Sequence, residues 1–194
     1  MVPTHNQRGD AMAKAMFLIA SLCWLVGCTW VSQSRSKLPA VTPVSTIDLE
    51  KYVGTWYEIA SRPNRFQAGC TGTTATYSLK ENGEIKVENK CFEGHLSGPT
   101  MEATGRARIP DVESPAKLEV SFFWPFWGDY WVIDLDPEYQ YAVVGQPSRK
   151  YLWILSRTPQ LDDSTYLGII DRLKSAQYPV ADLKKTAQKT DHGQ

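Results

Sequence analysis

The chain has 194 residues, 42% of them hydrophobic and 22% charged, with 21 basic and 21 acidic side chains. That length and apolar share suit one globular domain with a sizeable core. The balanced charge excludes a general electrostatic pull on nucleic acid.

At the N-terminus, Arg8 and Lys14 precede an apolar run over 15–26 that is too short to span a bilayer comfortably. Residues 1–27 therefore read as a signal peptide, with Met12 or Met16 as alternative starts. The run ends in Leu25-Val26-Gly27-Cys28, which resembles the bacterial lipobox. The resemblance implies cleavage before Cys28 and acylation of that cysteine; a plain secretory signal followed by a stray cysteine, or an uncleaved anchor, are the alternatives. Position 29 is Thr rather than Asp, so the inner-membrane retention rule that comes with the resemblance is not met. The expected location is the outer membrane, lipid-anchored and facing the periplasm. Cys23 leaves with the signal, and Cys70 and Cys91 remain in a compartment that permits disulfides.

Residues 28–44 are rich in Ser, Thr and Pro without apolar periodicity and read as a lipidated, flexible tether with a reach of roughly 20 Å. The folded domain is expected over 45–190. Ser45-Thr46-Ile47-Asp48 has the form of a capping box, predicting a helical turn over 46–52. Eight β-rich runs follow, at 54–61, 73–80, 84–91, 101–109, 117–123, 130–136, 141–145 and 151–157, mostly with short connections. Eight sequential antiparallel strands leave exposed edges unless the sheet closes, so the fold class is all-β, an eight-stranded up-and-down barrel. Beyond it, Asp162 or Asp163 can cap a helix in which Tyr166, Ile169, Ile170 and Leu173 share one face. That face must pack on the outside of the wall. The run Tyr151-Leu-Trp-Ile-Leu155 has lost its alternation, as a strand buried on both faces does, which places the helix beside the eighth strand and its neighbour, the first.

Three segments carry a family resemblance. Tyr52-Val-Gly-Thr-Trp-Tyr-Glu-Ile-Ala60 resembles the Gly-x-Trp signature of lipocalins, Asp136-Pro-Glu-Tyr-Gln-Tyr141 their second motif, and Leu152-Trp-Ile-Leu-Ser-Arg157 their third. The wording is most similar to the bacterial outer-membrane lipoprotein, plant temperature-induced and apolipoprotein D branches of that family. The resemblance implies that Trp56 and Arg157 close the narrow end of the barrel by a cation–π stack, that Gly54 lets the helical turn approach this plug, and that the barrel holds an apolar ligand.

The stretch Ser121-Phe-Phe-Trp-Pro-Phe-Trp-Gly-Asp-Tyr-Trp131 would then form a hairpin at the open end. Leu118, Val120 and Phe122 alternate with charged or polar residues and face inward. We expect Phe122, Trp124, Trp131 and Ile133 to contact ligand, and Trp127 and Tyr130 to face outward. The alternative for Phe123, Trp127 and Tyr130 is packing on a second subunit, as a homodimer, or on a bilayer surface.

Nothing in the chain forms a nucleophilic elbow, and Gly94-His-Leu-Ser-Gly98 is not Gly-x-Ser-x-Gly. Of three histidines only His95 lies within the domain, so neither a metal site nor a catalytic dyad is expected, nor is a cofactor. If Asn82-Gly83 is a two-residue turn, Cys91 lies opposite Thr74, too far from Cys70 for a bridge. A bulge near Gly69 or Gly72 would close the gap. The reading as a whole is a carrier of a fatty acid or lysophospholipid for membrane maintenance, as the resemblance implies. A carrier of a tetrapyrrole or other flat ring, and a structural lipoprotein that binds nothing, are the alternatives.

Overall fold

The computed structural model describes residues 38–189; the signal-peptide and Cys28 expectations fall outside the described residues. Among these, no helix is long and apolar enough to cross a membrane. A short helix, α1 (Leu49–Tyr52), leads into eight antiparallel strands: β1 (Gly54–Ser61), β2 (Cys70–Leu79), β3 (Ile85–Glu93), β4 (Thr100–Arg108), β5 (Lys117–Phe123), β6 (Phe126–Leu135), β7 (Tyr141–Gly145) and β8 (Leu152–Ser156). Each strand pairs with the next, β8 pairs with β1, and β1 pairs with β2, so the sheet is a closed eight-stranded barrel. Closure removes most of the edges of the eight; residues 100–105 of β4 pair with β3 but not with β5. After the barrel come helix α2 (Asp163–Ser175) and a two-residue strand, β9 (Lys184–Lys185), paired with Ala60 and Ser61 of β1.

Several boundaries differ from the sequence pattern. The first helix starts later than 46, because Asp48 itself is the cap, its carboxylate accepting from the backbone N–H of Glu50 and Lys51. Strand β6 starts at Phe126 rather than 130, since Gly128 continues the ladder opposite Val120 and does not break it. The β2–β3 turn takes three residues, with Lys80 bonded to Glu84 and Gly83 at φ +80. That shifts the register by one from a two-residue turn: Thr74 pairs with Lys90, Thr71 with Phe92, and a bulge lies between them at Gly72, φ +58. The bulge draws Cys70 and Cys91 to a Cα separation of 5.5 Å, and they form a disulfide.

The core has two layers. Outside the barrel, Ile169 and Leu173 of α2 pack on Ile59 and Ala60 of β1, Val143 of β7, and Leu152 and Ile154 of β8. Burial on both faces explains the lost alternation of β8. The second layer fills the closed end of the barrel, where Trp56 is fully buried and its indole N–H donates to the Tyr52 carbonyl. The Arg157 guanidinium lies 3.7 Å from the centroid of the Trp56 ring and donates to the carbonyl oxygens of Lys51, Tyr52, Thr55 and Tyr139. Gly54, at φ +97, passes so near that a Cβ there would stand 3.3 Å from the guanidinium. A side chain at this φ is strained, and here it would also press on the plug.

Truncating Trp56 removes a buried ring and its stack, so Trp56→Ala should cost about 3–5 kcal/mol of stability. Arg157→Ala should cost less, and the double variant should fall short of the sum by about 1–2 kcal/mol, the worth of a desolvated cation–π contact. Urea melts of the two singles and the double measure this coupling; fully additive losses would contradict it.

Candidate functional site

The strands run from the end closed by Trp56 towards the loops after β1, β3, β5 and β7, which surround the other, open end. Inward-facing residues follow from the register. Leu118 is in the buried interior cluster and pairs with Tyr130, Val120 pairs with Ala107 and Gly128, and Val132 pairs with Val144. Burial along this interior is graded. Near the closed end Ala107, Ile85 and Leu118 are buried, whereas Met101 and Ala103, on the same inward face of β4 but nearer the mouth, remain exposed. The lower half is filled by side chains, while towards the mouth β4 is exposed on both faces.

Midway stands a trio of tyrosines that sequence reasoning did not assemble. Tyr52 of α1, Tyr77 of β2 and Tyr130 of β6 are buried, and the Tyr130 hydroxyl lies 2.8 Å from each of the other two. Burial raises all three pKa values, Tyr77 to about 12 and the others well above 10. They are neutral hydroxyls at any physiological pH. Three hydroxyl protons serve two hydrogen bonds, so one proton has no acceptor within the trio. One step nearer the mouth Asn89, between Ala75 and Ala103, has a buried carboxamide oxygen without a hydrogen-bond partner.

Near the mouth a second polar group sits in the wall. The Glu58 carboxyl, 4% exposed, accepts from Ser61 and Thr186 hydroxyls and from the Gln67 amide, at 2.6 to 2.9 Å. Gln67, on the short 3-10 turn Arg65–Gln67, accepts in turn from the Trp153 indole at 2.8 Å. This chain ties the first loop over one side of the opening, and the Tyr151 ring stacks on Trp153 beside it. Its signal in the sequence was the set 151, 153, 155, which shares the inward face but was hidden by the apolar residues between.

The expected ligand contacts separate. Phe122 points inward, its ring laid against Gly105 so closely that a Cβ there would meet it at 2.8 Å. Trp131 and Ile133 do not: Trp131 lies on the outer wall with the Lys117 ammonium 5.1 Å from its ring, and Ile133 packs with the cluster beneath α2. Tyr130, expected outside, is inside. The reason is a bulge in the β5–β6 pair, which pairs Phe123 with Phe126 but Leu118 with Tyr130. Without that one-residue shift Leu118 would face Trp131, and every side chain of β6 would change faces. A second bulge between Val132 and Asp134 leaves Ile133 outside. Trp124 does not line the interior either: it is 73% exposed at the turn, with the Arg106 guanidinium of the outer wall 4.9 Å from its ring. Trp127 is outside, 4.0 Å from Arg108. His95 is exposed, and among the described residues no group of His, Cys, Asp or Glu could hold a metal ion.

Comparison with known proteins agrees with this architecture. The lipocalin-like domain model matches residues 47–188. The chain is 43% identical to the outer membrane lipoprotein Blc of Escherichia coli over 153 residues, 79% of this chain and 80% of that protein. It is 41% identical to temperature-induced lipocalin-1 of Arabidopsis thaliana, over 75% of this chain and 81% of that protein. Among solved structures, insecticyanin from the tobacco hornworm Manduca sexta superposes with a TM-score of 0.63 at 23% identity, covering 79% of this chain and 87% of that one; this likeness concerns the fold alone.

The tyrosine trio makes the barrel sensitive to alkali. In the unfolded chain these groups ionise near pH 10, whereas the folded pKa values are raised, Tyr77 to about 12. Their contribution is complete below pH 10 and is lost as pH rises towards 12, by about 1.4 kcal/mol per pH unit for each tyrosine at most. Urea midpoints from pH 8 to 11 should fall less steeply in Tyr77→Phe than in the parent chain. Identical slopes would contradict a buried, neutral Tyr77.

Proposed function

The chain belongs to the lipocalin family, and on that premise we propose that it is an outer-membrane lipoprotein, anchored through acyl chains on Cys28, whose barrel binds a fatty acid or lysophospholipid. Its role is binding and transfer for membrane maintenance rather than catalysis. The observation that carries the ligand class is the graded interior, an apolar sleeve sealed by the Trp56–Arg157 stack and open past Val120, Phe122, Ala103 and Met101. Burying an acyl chain of about 14 methylenes at ~0.8 kcal/mol each gives at most ~11 kcal/mol before association costs. Micromolar affinity is then reachable without a strong polar clamp. The spare tyrosine proton can donate to a lipid oxygen, and the Asn89 Oδ1 can accept from a lipid hydroxyl. The anchor and the outer membrane are supported by the lipobox match at Cys28 and by the Blc relative, whose name is that of an outer membrane lipoprotein.

Titration of a fluorescent fatty acid tests the sleeve. Phe122→Ala should weaken binding roughly tenfold to a hundredfold, the worth of about 1–3 kcal/mol of lost contact, and Trp131→Ala should bind as the parent does. The reverse pattern would place the ligand outside this interior. A visible absorbance band in the purified protein would point instead to a tetrapyrrole or another flat ring.

The anchor is tested by fractionation. Cys28→Ser should release the protein into the soluble periplasm, since at least two acyl chains are needed for stable attachment. Persistence of the variant in outer membranes after a high-salt wash would contradict acylation at Cys28.

A further inference from the structure

We propose that the rim of the barrel mouth is a bilayer-docking surface, so that the barrel rests on its membrane with the open end down. Among the described residues four Phe or Trp side chains are exposed: Phe66 at 63%, Phe123 at 75%, Trp124 at 73% and Phe126 at 74%. All four lie at the mouth, Phe66 on the loop after β1 and the other three on the β5–β6 turn. Among the described residues the opposite end exposes no Phe or Trp, only the aliphatic Leu79 and Val112. Single exposed hydrophobics need no explanation, but four large aromatics confined to one end do.

The charges beside them fit a lipid headgroup layer. The Arg65 guanidinium lies 5.1 Å from the Phe66 ring, Arg106 4.9 Å from Trp124, and the Lys150 ammonium 5.3 Å from Tyr151, whose ring is 5.9 Å from Phe66. Rings at the level of the headgroups with cations next to them are the chemistry of a membrane interface. Here they stand on two separate loops around an opening.

An independent observation is where the chain enters. The Pro39 carbonyl accepts from Arg149 at 2.7 Å, and Arg149 lies on the β7–β8 loop at the mouth. From there the chain descends the outer wall, with the Val44 N–H bonded to Val132, and reaches α1 at the closed end. The tether thus leaves the folded body beside the aromatic rim. About ten residues separate Leu38 from Cys28, a span of at most ~35 Å when extended and roughly 18 Å as a coil. An anchor at Cys28 therefore leaves the mouth within reach of the bilayer. The orientation rests on the anchor proposed above; the affinity of the rim for lipid does not.

The test uses the full acylated protein in phosphatidylethanolamine–phosphatidylglycerol vesicles containing a lipid spin-labelled high on its acyl chain. Tryptophan quenching is read in a Trp30→Phe background, because Trp30 closely follows the anchor cysteine. Trp124→Phe should remove most of the remaining quenching, while Trp127→Phe, on the outer wall, should change it little. The Phe123→Ser and Phe126→Ser pair should lower the quenching of Trp124 without altering the near-ultraviolet circular dichroism of the fold. If Trp124→Phe leaves quenching unchanged, docking is overturned. If the rim variants instead convert a dimer into monomers in sedimentation, the rim serves a second copy of the chain and docking is likewise overturned. Should the wild-type protein prove unanchored, the same comparison is made by flotation with those vesicles, where the Phe123→Ser, Trp124→Ser and Phe126→Ser triple should lose binding; equal flotation would overturn it. A barrel that binds no lipid leaves all these readings unchanged, so failure of the carrier role and failure of docking are distinguishable.

Discussion

Arg157 is the side chain through which the closed end is held. Its guanidinium donates to carbonyl oxygens from α1, from the start of β1 and from the β6–β7 turn, and it covers the Trp56 ring at 3.7 Å. The α1–β1 entry and the β6–β7 turn, distant in sequence, meet on one rigid, planar cation, which only arginine could serve with its fork of donors. The consequence is directional. A barrel sealed at this end and filled up to the tyrosine trio can admit a ligand only from the other, so polar chemistry, aromatic surface and chain entry all matter there.

The fold was legible because its signals are redundant. Strands β1, β3, β4, β5 and β7 stand close to where alternation puts them, and the stripe of α2 could be matched to the strand that had lost its alternation. What could not be read were single-residue shifts. The bulge in β5–β6 leaves no mark in composition, yet it decides whether Tyr130 or Trp131 is inside. The same holds for Ile133, whose outward neighbours come from a helix 30 or more residues later in the chain. Gly72 was legible as a candidate bulge, and the bulge there joins Cys70 to Cys91.

The tyrosine trio and the Glu58 network were illegible for a different reason. Each draws side chains from three or more elements, including α1, the first loop and residues after α2, and no local pattern links them. The two polar groups also divide the interior. Glu58 has its oxygens engaged by three donors near the mouth, whereas the trio and Asn89 keep unused hydrogen-bonding capacity deeper down. An apolar chain that crosses the open half therefore meets its spare polar partners at the bottom of the passage and a satisfied wall at the top.

The central claim is that this interior holds a single-chain lipid. Mild detergent extraction from the native membrane, washing and mass spectrometry of an organic extract test it most directly. The account predicts a fatty acid or lysophospholipid at close to one per barrel, absent from a variant in which Phe122 and Val120 are both replaced by Asp. An extract with no lipid above the level of that variant would contradict it.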